Sequence, residues 1–106
     1  MLDQATINTF ARRLIGAAPA GSEVILFGSY ARGEATSNSD LDFLVIEPVV
    51  ADRISEAVRL RSSLRGSRVG IDIVVTSRSV FDEWKTTPNN ILHHAWKEGR
   101  VCHEMD

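Results

Sequence analysis

The chain has 106 residues, 43% of them apolar and 25% charged, with a formal net charge of −2. That balance suits one folded domain spanning residues 1–106, too short for a second core, and excludes a disordered polyelectrolyte. The overall charge gives no pull toward nucleic acid or a membrane surface, so no direct nucleic-acid binding is expected.

The single cysteine, Cys102, has no internal disulfide partner, which fits a cytoplasmic location. Met1-Leu2-Asp3-Gln4 lacks the basic-then-apolar layout of a signal peptide. No apolar run approaches the ~20 residues that span a bilayer.

From Asp3 to Ala18, Ile7, Phe10, Ala11, Leu14 and Ala18 recur at helical spacing, with Asp3 as N-cap and Pro19-Ala20-Gly21 as the stop. Val24 to Phe27 is a continuous apolar run, the mark of a strand covered on both faces. It ends at Gly28-Ser29, and Tyr30 to Ala35 allows only a short helix before the turn Thr36-Ser37-Asn38-Ser39.

Asp40 to Ile46 reads as a second strand, closed by Glu47-Pro48. Val50 to Leu64 reads as a helix with Val50, Ile54, Ala57, Val58 and Leu64 on one face, ended by Gly66. Arg61, Arg65 and Arg68 form a basic stripe there, read as a solvated face. Val69 to Val75 is a third strand holding Asp72 in an apolar run. Ser77 or Ser79 caps a short turn of helix through Phe81 and Trp84, and Asn89 or Asn90 caps a last helix, Ile91 to Glu98, stopped by Gly99. Arg100 to Glu104 reads as a short edge strand.

The expected architecture is α/β, in the α+β sense of a small mixed sheet flanked by helices. The link between the first two strands is too short for a parallel crossover, so they should run antiparallel. The third strand follows a full helix and can lie parallel to the second.

Side chains two apart on a strand share a face, so Asp40 and Asp42 project together, with Cα atoms roughly 6.6–6.8 Å apart. That spacing suits two ions ~3.5–4 Å apart, as in two-metal phosphoryl chemistry. If the third strand neighbours the second, Asp72 joins them, and three carboxylates need a cation to stay ionised. Mg²⁺ fits best, being hard and oxygen-liganded. Gly28 lets a phosphate approach the backbone, and Ser29 can cap the short helix or reach a phosphate oxygen. Arg32, four residues on from Gly28, can reach a triphosphate or make a surface salt bridge.

Gly28-Ser29, ten residues, then Asp40-Leu41-Asp42, with Asp72 on a later strand, resembles the signature of the polymerase-β-like nucleotidyltransferase superfamily. The compact size and the run Gly28-Ser29-Tyr30-Ala31-Arg32-Gly33 are similar to its minimal nucleotidyltransferases, in bacteria and archaea often antitoxins encoded beside a HEPN-domain toxin. The resemblance implies a polymerase-β-like fold and a triphosphate bound by Gly28 and Ser29. It implies two magnesium ions held by Asp40 and Asp42, and Asp72 as a further ligand and general base. The implied reaction moves AMP from ATP to a hydroxyl, a tyrosine of the HEPN toxin in antitoxin-type members, and releases pyrophosphate.

Larger members add a domain that grips the acceptor, so here the acceptor brings its own surface or a homo- or hetero-oligomer completes the site. The alternatives are a small-molecule acceptor such as an aminoglycoside, or an antitoxin that neutralises by binding without catalysis.

Other features carry less. His93-His94 with Cys102-His103 matches no common zinc spacing, and Trp84, Trp96 and Phe81 read as core, with any exposed member available to a partner. Tyr30 can pack, bond locally or touch a base. No Gly-Lys-Ser/Thr follows the glycine turn, and no Gly-x-Ser-x-Gly elbow surrounds Ser29, which argues against a P-loop NTPase and a serine hydrolase.

Overall fold

The computed structural model describes residues 2–102; His103 and Glu104, and with them the end of the expected edge strand, lie outside the described residues. The elements in order are α1 (Gln4–Ala17), β1 (Glu23–Phe27), α2 (Ser29–Arg32), β2 (Leu41–Glu47) and α3 (Arg53–Ser62). Then come β3 (Ile71–Ser77), α4 (Arg78–Trp84), α5 (Ile91–Glu98) and β4 (Arg100–Val101). The four strands form one mixed sheet in the order β3-β2-β1-β4. β1 pairs antiparallel with β2 and β4, and β2 pairs parallel with β3.

Alternation along the strands divides the core in two. Val24, Leu26, Leu41, Phe43 and Val45 face α1 and α3, where they meet Ile7, Phe10, Leu14 and Leu60. Ile25, Phe27, Leu44 and Ile46 face the other way, against Phe81 of α4 and Ala95 of α5. Phe43, Leu26 and Leu14 are fully enclosed, and burying each contributes roughly 1.5–3 kcal/mol. Phe43→Ala, at the centre, would cost about 3–5 kcal/mol.

Local chemistry sets the helix ends. Asp3 accepts from the Thr6 N–H at 2.9 Å, Asp52 from Ile54 and Ser55 at 3.1 Å each, and Asn90 from His93 at 3.1 Å. Each satisfies N–H groups that a helix start leaves orphaned. Asp52, not the apolar Val50, therefore begins α3.

Several expectations need correction. β3 begins two residues later than Val69, so Asp72 lies near the start of the strand and is exposed, not mid-strand among core residues. Asp40 precedes β2. Ile54 and Val58 do not pack inward but stand 70% and 67% exposed. Trp84 and Trp96 are also substantially exposed, whereas Phe81 is core. Tyr30 packs in the core and its hydroxyl accepts from the Leu2 N–H at 3.1 Å. No helix among the described residues is long and apolar enough to cross a membrane.

Candidate active site

The site forms where β1 ends and β2 and β3 begin. Antiparallel pairing sets Phe27, the last residue of β1, against Asp42, and parallel pairing sets Asp42 against Asp72. Directly paired residues point to the same face, so both carboxylates project together on the side that carries α4 and α5. Asp40 lies just outside β2, with its carboxylate against Gly70, in the space that a side chain there would fill.

Gly28 is the tightest joint in this arrangement. Its φ is +77°, a left-handed conformation that L side chains seldom adopt, and a Cβ there would run into Asp42 Oδ2. The turn thus lies directly on the carboxylate. Ser29 is the first residue of α2; Gly28 holds the cap position and makes no side-chain bond, so the expected cap by Ser29 is not formed. α2 ends after one turn because Gly33, at φ 74°, takes the left-handed cap.

The electrostatics are uncompensated. Burial, then Asp72, then Asp40 push the Asp42 carboxyl up to about 6, and Arg32 only partly opposes them. Arg32 is held by Glu34 at 2.8 Å and Glu98 at 3.3 Å, so the salt-bridge alternative describes its contacts in the free chain. No group of three carboxylate, histidine or thiol side chains among the described residues already converges on one ion. Magnesium does not need one: it commonly takes one or two carboxylates together with water and substrate phosphates. The Asp42–Asp72 pair, with Asp40 beside it, is a donor set of that kind.

Next to the turn, Phe27, Gly28, Arg32, Ile91, His94 and Glu98 line an open cleft of about 470 Å³, within the usual range for a small-molecule site. Glu98 Oε1 lies 3.6 Å from His94 Nδ1. Neither Glu98 nor His94 is expected at this cleft from the sequence. Ile91, His94 and Glu98 fall at i, i+3 and i+7, one stripe of α5, and that stripe was the available signal. His93 instead sets its Nδ1 2.8 Å from the Lys85 carbonyl.

A model of the family described as nucleotidyltransferase domain matches residues 6–101. The chain belongs to the nucleotidyltransferase domain family. A curated relative from Methanocaldococcus jannaschii, named as a candidate protein adenylyltransferase (MJ0604), is 34% identical over 84 residues, covering 76% of this chain and 77% of its own. Among solved structures, a candidate nucleotidyltransferase from Sulfolobus solfataricus superposes with a TM-score of 0.62 at 19% identity, over 92% of this chain and 76% of that one. A toxin-antitoxin structure with AMP-PNP gives 0.56 at 23% identity, and an MntA-HpeT toxin-antitoxin mutant 0.52 at 21%; each match covers 95% of this chain and 73% of the other. At those identities the structural matches speak for the fold. This nucleotidyltransferase has its paired carboxylates and its glycine turn at one end of a single sheet.

Proposed function

We propose that the chain is a magnesium-dependent protein adenylyltransferase that moves AMP from ATP to a hydroxyl, in our reading a tyrosine, of a HEPN-type toxin partner, and so acts as its antitoxin in the cytoplasm. Family membership supports nucleotidyl transfer, and the name of the 34%-identical relative supports a protein acceptor. Two structural neighbours described as toxin-antitoxin assemblies, one with AMP-PNP, agree with a toxin partner and an adenine nucleotide. The observation that carries the reading is the Asp42–Asp72 pair with the Gly28 turn against Asp42.

In this reading Gly28 and Ser29 receive the triphosphate, and Arg32 leaves Glu98 and Glu34 to bind it. Asp40, Asp42 and Asp72 hold the ions; Mg²⁺ bound there would neutralise the phosphates and the charge growing on the attacking and leaving oxygens. Asp72, on the exposed side, takes the proton of the acceptor hydroxyl. The acceptor oxygen forms a bond to the α-phosphorus, the α–β bridging bond breaks, and pyrophosphate departs with the electron pair. The product is AMP esterified to the acceptor.

The test is the intact mass of the protein encoded beside this chain, co-expressed with wild type or with Asp40→Asn/Asp42→Asn. A gain of AMP with wild type alone supports protein adenylylation at these aspartates. No gain from either, with a tight complex still formed, rejects catalysis in favour of neutralisation by binding.

A further inference from the structure

The outer edge of β3 has features that the transfer chemistry does not use. β3 is the terminal strand of the sheet, and its Gly70-side peptide faces inward, where the Gly70 carbonyl accepts from the Leu41 N–H at 2.9 Å. Peptide groups alternate sides along a strand, so those of Ile71, Ile73 and Val75 point out of the sheet, with no neighbouring strand among the described residues to receive them.

The ground beside this edge is apolar on both sides. Five of the eight exposed large apolar side chains among the described residues border it: Ile54 and Val58 of α3 on one side, Val80, Trp84 and Ile91 on the other. Clustering of this kind marks a surface meant to be covered. The α3 wall also carries Arg53, Arg61 and Arg65, none with an ion pair or hydrogen bond from its side chain to any described residue. Among the described residues, the sole carboxylate lining the groove is Asp72.

We infer that this edge docks an extended, acidic segment of the acceptor protein, which adds to β3 as a fifth strand and brings a hydroxyl-bearing residue opposite Asp72. The inference rests on the protein-acceptor reading above and specifies how that acceptor is held. A strand supplies the N–H and C=O partners that Ile71, Ile73 and Val75 lack, and alternate side chains fill the apolar walls. Its carboxylates meet the three arginines. A residue paired with Asp72 projects to the same face as the carboxylates, so its hydroxyl proton passes to Asp72 as its oxygen takes the α-phosphorus and pyrophosphate leaves.

Charge argues against a second copy of this chain, since pairing two β3 edges would bring the unpaired arginines of both copies together. Apolar walls flanking an open strand edge suit a peptide better than a phosphate backbone, which would leave Ile54, Val58 and Trp84 without partners.

The experiment uses the partner from the mass assay, with wild type, Arg61→Glu/Arg65→Glu, Arg61→Lys/Arg65→Lys and Ile54→Ser/Val58→Ser. The acceptor KM should rise about tenfold or more for the glutamate and serine pairs, with the KM for ATP unchanged, while the lysine pair retains most affinity. Amide exchange in the wild-type complex should slow at Ile71, Ile73 and Val75. If AMP transfer proceeds but the variants match wild type and these amides exchange as in the free chain, docking at this edge is wrong and the catalytic reading stands. If wild type transfers no AMP, the protein-acceptor reading itself fails and the docking inference falls with it. Protection that grows with the concentration of the chain alone, or that a single-stranded RNA decamer confers in place of the partner, assigns the edge to another occupant and overturns the proposal.

Discussion

Asp42 of β2 and Asp72 of β3 occupy one register position on adjacent parallel strands. Two carboxylates in neighbouring pairs repel, and here burial adds to the repulsion on Asp42. The fold holds that arrangement against its own electrostatic preference.

The Asp42→Asn variant should therefore stabilise the metal-free protein. Its carboxyl is pushed up to about 6 in the fold, from an ordinary value of 3.8. Ionisation costs the folded state nothing below the lower value, progressively more between the two, and its full amount above the upper. After screening of this half-exposed group, the expected gain is about 1 kcal/mol at about pH 8, a Tm rise of about 4–8 °C, vanishing near about pH 3.5. Magnesium chloride should raise the wild-type Tm but not that of the variant. Thermal melts followed by circular dichroism at both pH values decide this, and a lower Tm for the variant at the higher pH would sink it.

Gly28→Ala should destabilise the chain by about 1–3 kcal/mol, since alanine meets both the left-handed φ and the Asp42 carboxylate. Urea titration gives the midpoint. A variant as stable as wild type would mean that the turn relaxes freely, against the geometry described.

Arg32→Ala should leave the melting temperature nearly unchanged, because its partners are surface carboxylates. If Arg32 moves to the triphosphate, the KM for ATP should rise several-fold. Glu98→Gln should lower that KM by releasing the guanidinium. Steady-state kinetics on the pair separates a binding role from a structural one.

Glu47 predicts a different pH response. It is buried at the end of β2 beside Glu56, with one side-chain oxygen lacking a hydrogen bond, and burial followed by Glu56 pushes its carboxyl up to about 7. Glu56, gripped by Arg59 at 2.6 and 2.8 Å, is drawn down to about 2. The raised group subtracts stability as pH climbs from 4.5 through about 7, while the lowered one adds stability above 4.5 that is lost toward about 2. From this pair, wild type should thus be most stable near about pH 4.5 and lose stability toward about 7. Glu47→Gln should flatten that decline, leaving the part below about 6 that Asp42 causes, as chemical denaturation across that range would measure; an unchanged decline refutes the assignment to Glu47.

Strand sense could be read from the chain because it follows from link lengths. The link between Phe27 and Leu41 is too short for a parallel crossover, whereas α3 gives the chain room to return parallel. The nearness of Asp42 and Asp72 depended on the third strand lying beside the second, which the sequence left open and the register of β2 and β3 supplies. What α3 packs against could not be read: Ile54 and Val58 have the same helical spacing as core residues, and periodicity records an apolar face without saying what covers it. The start of β3 moved from Val69 to Ile71 because strand ends depend on the partner strand. The Glu98–Arg32 contact joins residues 66 positions apart, a distance that local patterns do not span.

The sheet ends unequally. On one side β1 is closed by the two-residue β4; on the other, β3 has no neighbouring strand among the described residues. An uncapped strand flanked by valine, isoleucine and tryptophan is a nucleus for aggregation, and charged residues beside such strands serve as gatekeepers. Arg53, Arg61 and Arg65 then guard the solitary chain through mutual repulsion between molecules. That guard is only as long as the Debye length, which shrinks from about 10 Å at about 0.1 M salt to about 3 Å in molar salt. Solubility of the chain without its partner should therefore fall as salt is added, the reverse of ordinary salting-in.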